Sequence, residues 1–201
     1  MARPRKKPRN LREDCLRTAL SIIERDGVEQ LSLREVARRL GVSHQAPYKH
    51  FASRDHILAE IASRAFEAFA AHLDDRRKYK DPRADLKSLG NAYLAYAVAH
   101  PLNYRLMFAT PLPDPAVHPQ MMRSAQHSFR LLHDCLRRLH SQRGVTEPDL
   151  PATLDALFIW SNMHGLASIA SSPALGTLGL PRTTIDKMMP HAMKRLEMAM
   201  Q

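Results

Sequence analysis

The sequence is poor in the residues that mark several classes of protein. It has two cysteines, Cys15 and Cys135, each among apolar helical neighbours. This spacing gives no disulfide framework and no cysteine-rich metal knuckle, and it favours a reducing, cytoplasmic compartment. Glycine occurs only seven times, and we find no alternating strand pattern, no internal repeat and no low-complexity tract. Together these absences predict an all-α fold.

Long apolar runs are missing as well. The N-terminal residues are basic but lack the apolar core of a secretion signal, and no stretch is long enough to cross a bilayer. We therefore expect a soluble cytoplasmic protein without a membrane partner. The chain has 201 residues, of which 44% are hydrophobic, so it can form one compact domain with a second small one.

The signatures of enzymes are also absent. Eleven histidines suggest a metal site, yet the sequence has no H-E-x-x-H motif and no clustered Cys/His spacing. Gly176 and Gly179 do not follow a strand, so they form no dinucleotide fingerprint. The sequence thus predicts no catalytic residue, no metal site and no cofactor.

Positive charge, by contrast, is in excess. The formal net charge is +10, and residues 1–55 carry 13 Lys and Arg against 7 Asp and Glu. The first twelve residues hold six positive charges and no negative one. Such an excess favours an anionic partner, such as nucleic acid or a membrane surface. Residues 1–8 form a basic arm, which either contacts phosphates or a minor groove or is a solvated tail.

Residues 32–51, SLREVARRLGVSHQAPYKHF, have the layout of a helix-turn-helix. Ser32 and Glu35 form an S-x-x-E capping box, in which each residue binds the backbone amide of the other, and this predicts a helix that begins near Leu33. The apolar residues of this helix share one face: Leu33, Val36, Ala37 and Leu40. Its arginines lie off that face, so one side of the helix packs and the other is basic.

A turn and a second helix complete the motif. Gly41 supplies the permissive backbone that ends the first helix, Val42 is apolar at the corner, and Ser43 is a second N-cap candidate. Residues 44–50 are the candidate recognition helix, which would enter the major groove. Two capped helices joined by glycine also occur in proteins that bind no nucleic acid. The basic surroundings favour DNA binding.

Residues 11–61 closely resemble the N-terminal domain of the tetracycline-repressor (TetR) family of transcriptional regulators. The marks of the resemblance are the first-helix apolar positions ending in Gly27, the Ser32 cap, Val36-Ala37, Gly41-Val42-Ser43, Tyr48, Phe51, and Ser53-Arg54-Asp55 before Ile57-Leu58. The resemblance implies a three-helix DNA-binding domain over residues 9–55. It also implies a helical domain over residues 56–201 that binds an effector and dimerises.

Carried over residue by residue, the resemblance implies three groups of DNA contacts. Base edges would be faced by Ser43, His44, Gln45 and Ala46. Phosphates or sugars would be reached by Tyr48, Lys49 and His50. Phosphates would also be contacted from the flanking helices, by Ser32, Arg34 and Arg54. Two residues depart from the family pattern. Pro47 is expected to remove one early amide and little else, and Arg54 replaces the commoner lysine. For Phe51 and for the ring of Tyr48, the alternative to a role in the DNA-binding surface is that they simply pack in the core.

Proline-rich breaks separate further helices beyond residue 55. The breaks lie at Asp81-Pro82, His100-Pro101 and residues 110–119, 147–151 and 172–181. Apolar spacing predicts a long helix over 57–73, a core helix over 122–139, a helix over 150–170 that is buried on two faces, and a last helix over 185–199. By resemblance to the family, the last two helices pair with their copies in a homodimer. The alternative is that they complete the core of a monomer.

Residues 160–165, WSNMHG, resemble the W-x-x-x-H-G signature of one C-terminal subgroup of the family, and HPLNYRLMF at 100–108 looks like its companion. A mostly apolar effector pocket would be lined by Phe66, Phe69, Tyr93, Phe108, Phe129, Trp160, Met163 and His164. Core packing is the alternative for each. His164 has three possible roles: a polar anchor for the effector, a dimer contact, or a satisfied buried histidine.

The sequence thus predicts a sequence-specific transcriptional regulator, a repressor released from a palindromic operator by a small-molecule effector. Its predicted partners are double-stranded operator DNA, an unidentified effector and a second copy of the chain. The alternative is a nucleoid-type protein that binds DNA without sequence preference. The large second domain argues against so simple a role.

Overall fold

The computed structural model describes residues 10–199, and all regular secondary structure in that range is helical. This confirms the predicted all-α class. The α-helices are α1 (Leu11–Asp26), α2 (Leu33–Leu40), α3 (Arg54–Asp74), α4 (Pro82–Ala99), α5 (Pro101–Phe108), α6 (Pro119–Gln142), α7 (Asp149–Ala170), α8 (Pro173–Thr177) and α9 (Arg182–Ala199). Two 3₁₀ helices cover Val28–Gln30 and Pro47–Lys49. The predicted basic arm, residues 1–8, lies outside the described residues.

The chain divides into two compact units. Of the described residues, the first unit takes 10–66 and 105–123, and the second takes 67–104 and 124–199. Helices α3, α5 and α6 therefore each contribute residues to both units. The predicted functional division at residue 55 stays a prediction, and the compact units follow packing instead.

The core of the first unit is built on α1. This helix begins after Asn10, whose side chain accepts a hydrogen bond of 3.3 Å from the Glu13 amide. Its buried residues are Cys15, Leu16, Ala19, Ile22 and Ile23. Complete burial of a side chain such as Ile22 contributes about 1.5–3 kcal/mol. A second cluster joins Ala59 and Ala62 of α3 to Met121 of α6, which explains why residues 105–123 belong to this unit.

In the second unit, α4, α6 and α7 supply most of the buried side chains. The buried residues of α7 recur every three or four positions and so define one face: Ala152, Ala156, Ile159, Met163 and Ala167. The opposite side is apolar but exposed, with Leu150 at 69% and Leu154 at 59% of their full accessibility. The prediction that this helix is buried on two faces is therefore wrong for the single chain, because no helix within residues 10–199 covers its outer side.

Helix α9 packs only loosely in the second unit. It contains no buried residue. Near its end, the Met193 side chain lies over Gly90 of α4, so that a Cβ built on that glycine would be 2.8 Å from the Met193 methyl carbon. The predicted break at 172–181 is partly helical, because Ser172 caps the amide of Ala174 at 3.2 Å and Pro173 begins α8.

A buried carboxylate links three segments of the second unit. Asp85 of α4 accepts hydrogen bonds of 3.2 Å from the Arg76 guanidinium and from the Tyr79 amide, and its other oxygen accepts from Arg138 of α6. The side chains of Asp85 and Arg76 are only 7% and 6% exposed. Because an unpaired charge at this depth is costly, the pairing fixes the loop between α3 and α4.

Candidate nucleic-acid interface

The start of α2 is capped as predicted on one side only. The Ser32 hydroxyl accepts a hydrogen bond of 3.1 Å from the Glu35 amide. The Glu35 carboxylate, expected to reach back to the Ser32 amide, instead accepts from Arg38 and Arg39 at 2.7 Å. These hydrogen bonds lower the pKa of Glu35 to about 2. The predicted box is therefore wrong in its second half, because two guanidinium groups on the same helix compete for the carboxylate.

The turn after α2 follows the prediction. Gly41 adopts the left-handed conformation with φ 65°, a region in which other residues are strained. The Val42 amide donates to the Ala37 carbonyl at 3.1 Å, which closes the helix in the manner of a Schellman motif. The apolar face of α2 is also confirmed, since Leu33, Val36 and Ala37 are buried.

The predicted recognition helix is not an α-helix. Residues 44–46 form a turn, and Pro47–Lys49 form a 3₁₀ helix. The Ala46 amide donates to the Ser43 carbonyl at 2.9 Å, and the His50 amide donates to the Pro47 carbonyl at 2.9 Å. Pro47 has no N–H with which to bond the Ser43 carbonyl in the α-helical pattern. The expectation that Pro47 changes little is thus wrong.

This short segment presents a row of exposed polar side chains and is anchored by two buried residues. The exposed residues are Ser43, His44, Gln45, Tyr48, Lys49 and His50, and Ala46 is half-buried. Pro47 and Phe51 are buried, so Phe51 is a core residue. Tyr48 is 45% exposed, so its ring is not a core anchor. The Arg12 guanidinium lies 5.5 Å from the centre of the Phe51 ring, within the range of a cation–π contact.

Of the three flanking residues predicted to contact phosphate, Ser32 is half-buried and Arg34 is exposed on α2. Arg54 is already engaged by protein. Its guanidinium donates to the carbonyl oxygens of Leu31 at 3.1 Å and Val28 at 2.8 Å. Arg54 therefore holds the loop before α2, a role that sequence reasoning missed because both partners lie more than twenty positions away. Its contact with phosphate stays a prediction.

The residues predicted to line an effector pocket fall into both units. Phe66 and Phe108 belong to the first unit, where their ring centres are 6.0 Å apart. The other six belong to the second unit: Phe69, Tyr93, Phe129, Trp160, Met163 and His164. Among them Phe69, Tyr93 and Met163 are buried, whereas Trp160 is 40% exposed. A cavity of about 370 Å³ in the second unit is lined by other residues: Lys80, Pro82, Arg137, Arg138, Ser141 and Gln142. The effector site stays a prediction.

Tyr104 joins two of these predicted residues. Its hydroxyl lies 2.9 Å from the Tyr93 hydroxyl and 2.8 Å from Nδ1 of His164. Burial raises the pKa of both tyrosines and lowers the pKa of His164. Tyr104 was not among the predicted site residues. Its place in the HPLNYRLMF segment was the available signal.

Metal sites and membrane spans can be assessed over residues 10–199. No group of three or more His, Cys, Asp or Glu residues in this range is arranged to hold a metal ion. None of the helices described combines the length and the apolar character needed to cross a bilayer.

The sequence matches two family descriptions. Residues 16–61 match "Bacterial regulatory proteins, tetR family", and residues 86–195 match "Tetracyclin repressor-like, C-terminal domain". The chain is similar to the HTH-type transcriptional regulator TcmR of Streptomyces glaucescens, with 27% identity over 139 residues, 69% of this chain and 58% of that protein. It is also similar to the HTH-type transcriptional regulator Mb1846 of Mycobacterium bovis, with 30% identity over 43% of this chain and 38% of that protein.

The chain thus matches less than two thirds of the length of these two relatives. Along its whole length it resembles the solved structure of a protein with unknown function from Rhodococcus sp. RHA1, with a TM-score of 0.74, 30% identity and 98% coverage of both chains. The W-x-x-x-H-G subgroup stays a prediction. Because the C-terminal match alone spans more than half of the chain and the N-terminal match covers the helix-turn-helix, the chain belongs to the tetR family of bacterial regulatory proteins.

Proposed function

We propose that the protein is a dimeric cytoplasmic repressor that binds a palindromic operator and releases it when a small molecule binds its C-terminal part. The observation that carries this proposal is the exposed row of polar side chains at residues 43–50, anchored by the buried side chains of Pro47 and Phe51. A segment of this size fits the major groove, in which each base pair presents a distinct set of donors and acceptors.

The chemistry of the row suits a division between base reading and phosphate binding. The Gln45 amide has both a donor and an acceptor and can pair with an adenine edge, a contact worth about 1–3 kcal/mol of discrimination. Lys49 carries a charge suited to phosphate. Within residues 10–199, neither Lys49 nor Arg34 forms an ion pair. Arg38 and Arg39 are paired with Glu35, so we assign phosphate contacts to Arg34 and Lys49 first.

The exposed apolar face of α7 supports a homodimer. Leu150, Leu154 and Phe158 are 69%, 59% and 45% exposed, and α9 has no buried residue. A contiguous apolar surface of this kind marks an interaction site. A two-fold dimer through these helices would cover the face and present two recognition segments to one palindromic operator.

An effector would act by a difference in affinity. A small molecule that binds better to the conformation unsuited to the operator shifts the population towards that conformation. DNA binding is then weakened by the same factor by which bound DNA weakens the binding of the small molecule. The aromatic residues of the second unit, Phe69, Tyr93 and Phe129, suit a largely apolar effector. This part of the proposal depends on the pocket predicted from the sequence.

The test is a selection of genomic fragments by the purified protein, followed by titration of the best fragment against random DNA at one salt concentration. A repressor should prefer a short palindrome by a factor on the order of a thousand or more. Equal binding to all fragments would contradict the proposal and favour the nucleoid-type alternative. A screen for compounds that release the selected fragment then tests the effector.

A further inference from the structure

A chain of hydrogen bonds joins three helices of the second unit at the W-x-x-x-H-G motif. The hydroxyl of Tyr93 on α4 lies 2.9 Å from that of Tyr104 on α5, which lies 2.8 Å from Nδ1 of His164 on α7. The Tyr104 and His164 rings are also stacked, with centres 5.7 Å apart and an angle of 24°. Both tyrosines are buried, at 9% and 6% exposure. The motif histidine is thus a partner of α5.

The buried Tyr93 hydroxyl sets the favoured direction of this chain. It lies at the end of the chain, with the Tyr104 hydroxyl 2.9 Å away. If Tyr93 donates to Tyr104, then Tyr104 can donate to His164. Within residues 10–199, the opposite direction leaves the buried Tyr93 proton without an acceptor, which costs about 1–3 kcal/mol. The favoured arrangement therefore needs a bare Nδ1 on His164, with the ring proton on Nε2.

We propose that His164 is a positioning residue, which holds Tyr104 and through it Tyr93, and thereby attaches α5 to α7 most firmly while His164 is neutral. A protonated imidazole carries hydrogen on both nitrogens and cannot accept from Tyr104; it can only donate to Tyr104, which is the less favourable direction of the chain. Tyr104 is the last residue of the second unit before the chain enters the first unit at Arg105. The charge of one imidazole therefore controls the attachment of α5 at the point where the chain passes into the unit that carries the DNA-binding segment.

The direction of the pH effect follows from the groups that face His164. They include Tyr104 from α5 and, behind it, Tyr93 from α4, together with the Ser168 hydroxyl at 3.5 Å on the same helix. Burial raises the pKa of both tyrosines, so they stay neutral at ordinary pH. Burial lowers the pKa of His164 from 6.5. The neutral imidazole and its stabilising hydrogen bond are therefore present above pH 6.5 and are lost as the pH falls through the lowered pKa.

The first experiment uses the single tryptophan of the chain, which is Trp160. Its fluorescence is followed between about pH 8 and pH 5, a range that contains the titration of an ordinary or a shifted histidine. We expect one reversible transition with a midpoint below 6.5. His164→Gln should abolish it. Tyr104→Phe should move the midpoint upward, because the hydrogen bond that favours the neutral imidazole is removed.

The matched control is His127→Gln. The His127 side chain is 40% exposed and pairs with Asp74 instead of joining the chain, so this variant should titrate like the parent protein. Circular dichroism at pH 8 checks that each variant is folded. A fluorescence transition that persists in His164→Gln, or a midpoint that is unchanged in Tyr104→Phe, would overturn the proposal.

The second experiment measures affinity for the selected operator and for random DNA above and below the midpoint, and this arm rests on the proposed function. We expect operator affinity to change by about fivefold or more between the two pH values, and this change to be absent from His164→Gln. A fluorescence transition without a change in operator affinity would contradict the link to DNA binding. If no operator is found, the proposed function fails, and the fluorescence results still decide the positioning role.

Discussion

The guanidinium of Arg54 donates a hydrogen bond of 2.8 Å to the backbone carbonyl of Val28, twenty-six positions earlier in the sequence. The same group donates to the Leu31 carbonyl at 3.1 Å. One side chain at the start of α3 therefore satisfies two carbonyl groups of the loop that leads into α2. The contact therefore ties the start of α3 to the loop from which α2, and with it the DNA-binding motif, begins.

Arg54→Lys should lower the free energy of unfolding by about 1–2 kcal/mol. A lysine keeps the charge, but its compact ammonium group does not reproduce the planar fork that bonds two carbonyls. Urea unfolding followed by circular dichroism measures the change. Arg34→Lys, an exposed substitution on α2, is the control and should stay within about 0.5 kcal/mol of the parent. Equal midpoints for both variants would show that the carbonyl contacts contribute little.

Asp85→Asn should be far more destabilising, by about 3–5 kcal/mol. The substitution leaves the guanidinium of Arg76, which is 6% exposed, without the charge that compensates its burial. The same denaturant titration is used. The control, Asp186→Asn, breaks a surface pair with Arg182 in which both side chains are more than half exposed, and it should cost less than about 1 kcal/mol. A small effect at both positions would contradict the importance of the buried pair.

Gln45→Ala and Lys49→Ala should weaken DNA binding in different ways. Loss of the Gln45 amide should reduce the preference for the operator by about 1–3 kcal/mol and leave random DNA unaffected. Loss of the Lys49 charge should weaken both DNAs alike and make the salt dependence shallower by about one unit of slope. Fluorescence anisotropy at several salt concentrations separates the two effects. Unchanged binding in both variants would contradict the assignment of the 43–50 segment.

Glu35→Gln should strengthen DNA binding and steepen its salt dependence. The carboxylate, with a pKa of about 2, is charged under all ordinary conditions and holds Arg38 and Arg39. A neutral amide frees Arg38 for phosphate, whereas Arg39 keeps its ion pair with Asp26, so the slope of log affinity against log salt should become more negative by about 0.9 for one new contact. Glu197→Gln on α9 changes the net charge equally. The same steepening in that control would show that net charge alone is responsible.

Leu154→Glu should impair dimerisation. A carboxylate on the outer face of α7 would be buried without a partner in the proposed interface, at a cost of about 2 kcal/mol or more. Light scattering over a range of protein concentrations measures the change in mass. Val98→Glu is the control, since Val98 is equally exposed, at 60% against 59%, but lies on α4. A dimer that survives Leu154→Glu intact would place the interface elsewhere.

Local sequence patterns predicted most of the fold. The α2 stripe is confirmed because it depends on periodicity and a glycine turn, and the helices after Asp81 and His100 begin at the prolines that follow them. The shape of the recognition segment was missed. A proline four residues after a cap is compatible with a helix by local rules, whereas here Pro47 is buried and its packing accompanies a turn of the 3₁₀ type. Burial of this kind is a tertiary property that no window of sequence contains.

The polar contacts of the candidate sites were harder to predict than their residue types. Tyr93 and His164 were predicted as separate members of a pocket, and the residue that joins them, Tyr104, was not. The three lie 11 and 60 positions apart, and only the packing of three helices brings them together. Arg54 shows the same limit, since a charge predicted to contact phosphate also bonds to backbone carbonyls.

Pro47 has a consequence for the energetics of recognition. Its ring fixes the backbone angle φ covalently in the middle of the segment proposed to read DNA, and the neighbouring amides are engaged in short-range hydrogen bonds. The unbound chain therefore has fewer conformations to lose when it meets a groove. Less of the free energy of the DNA contacts is offset by ordering of the protein. A larger share of that free energy is therefore available to this segment of eight residues for discriminating one base sequence from another.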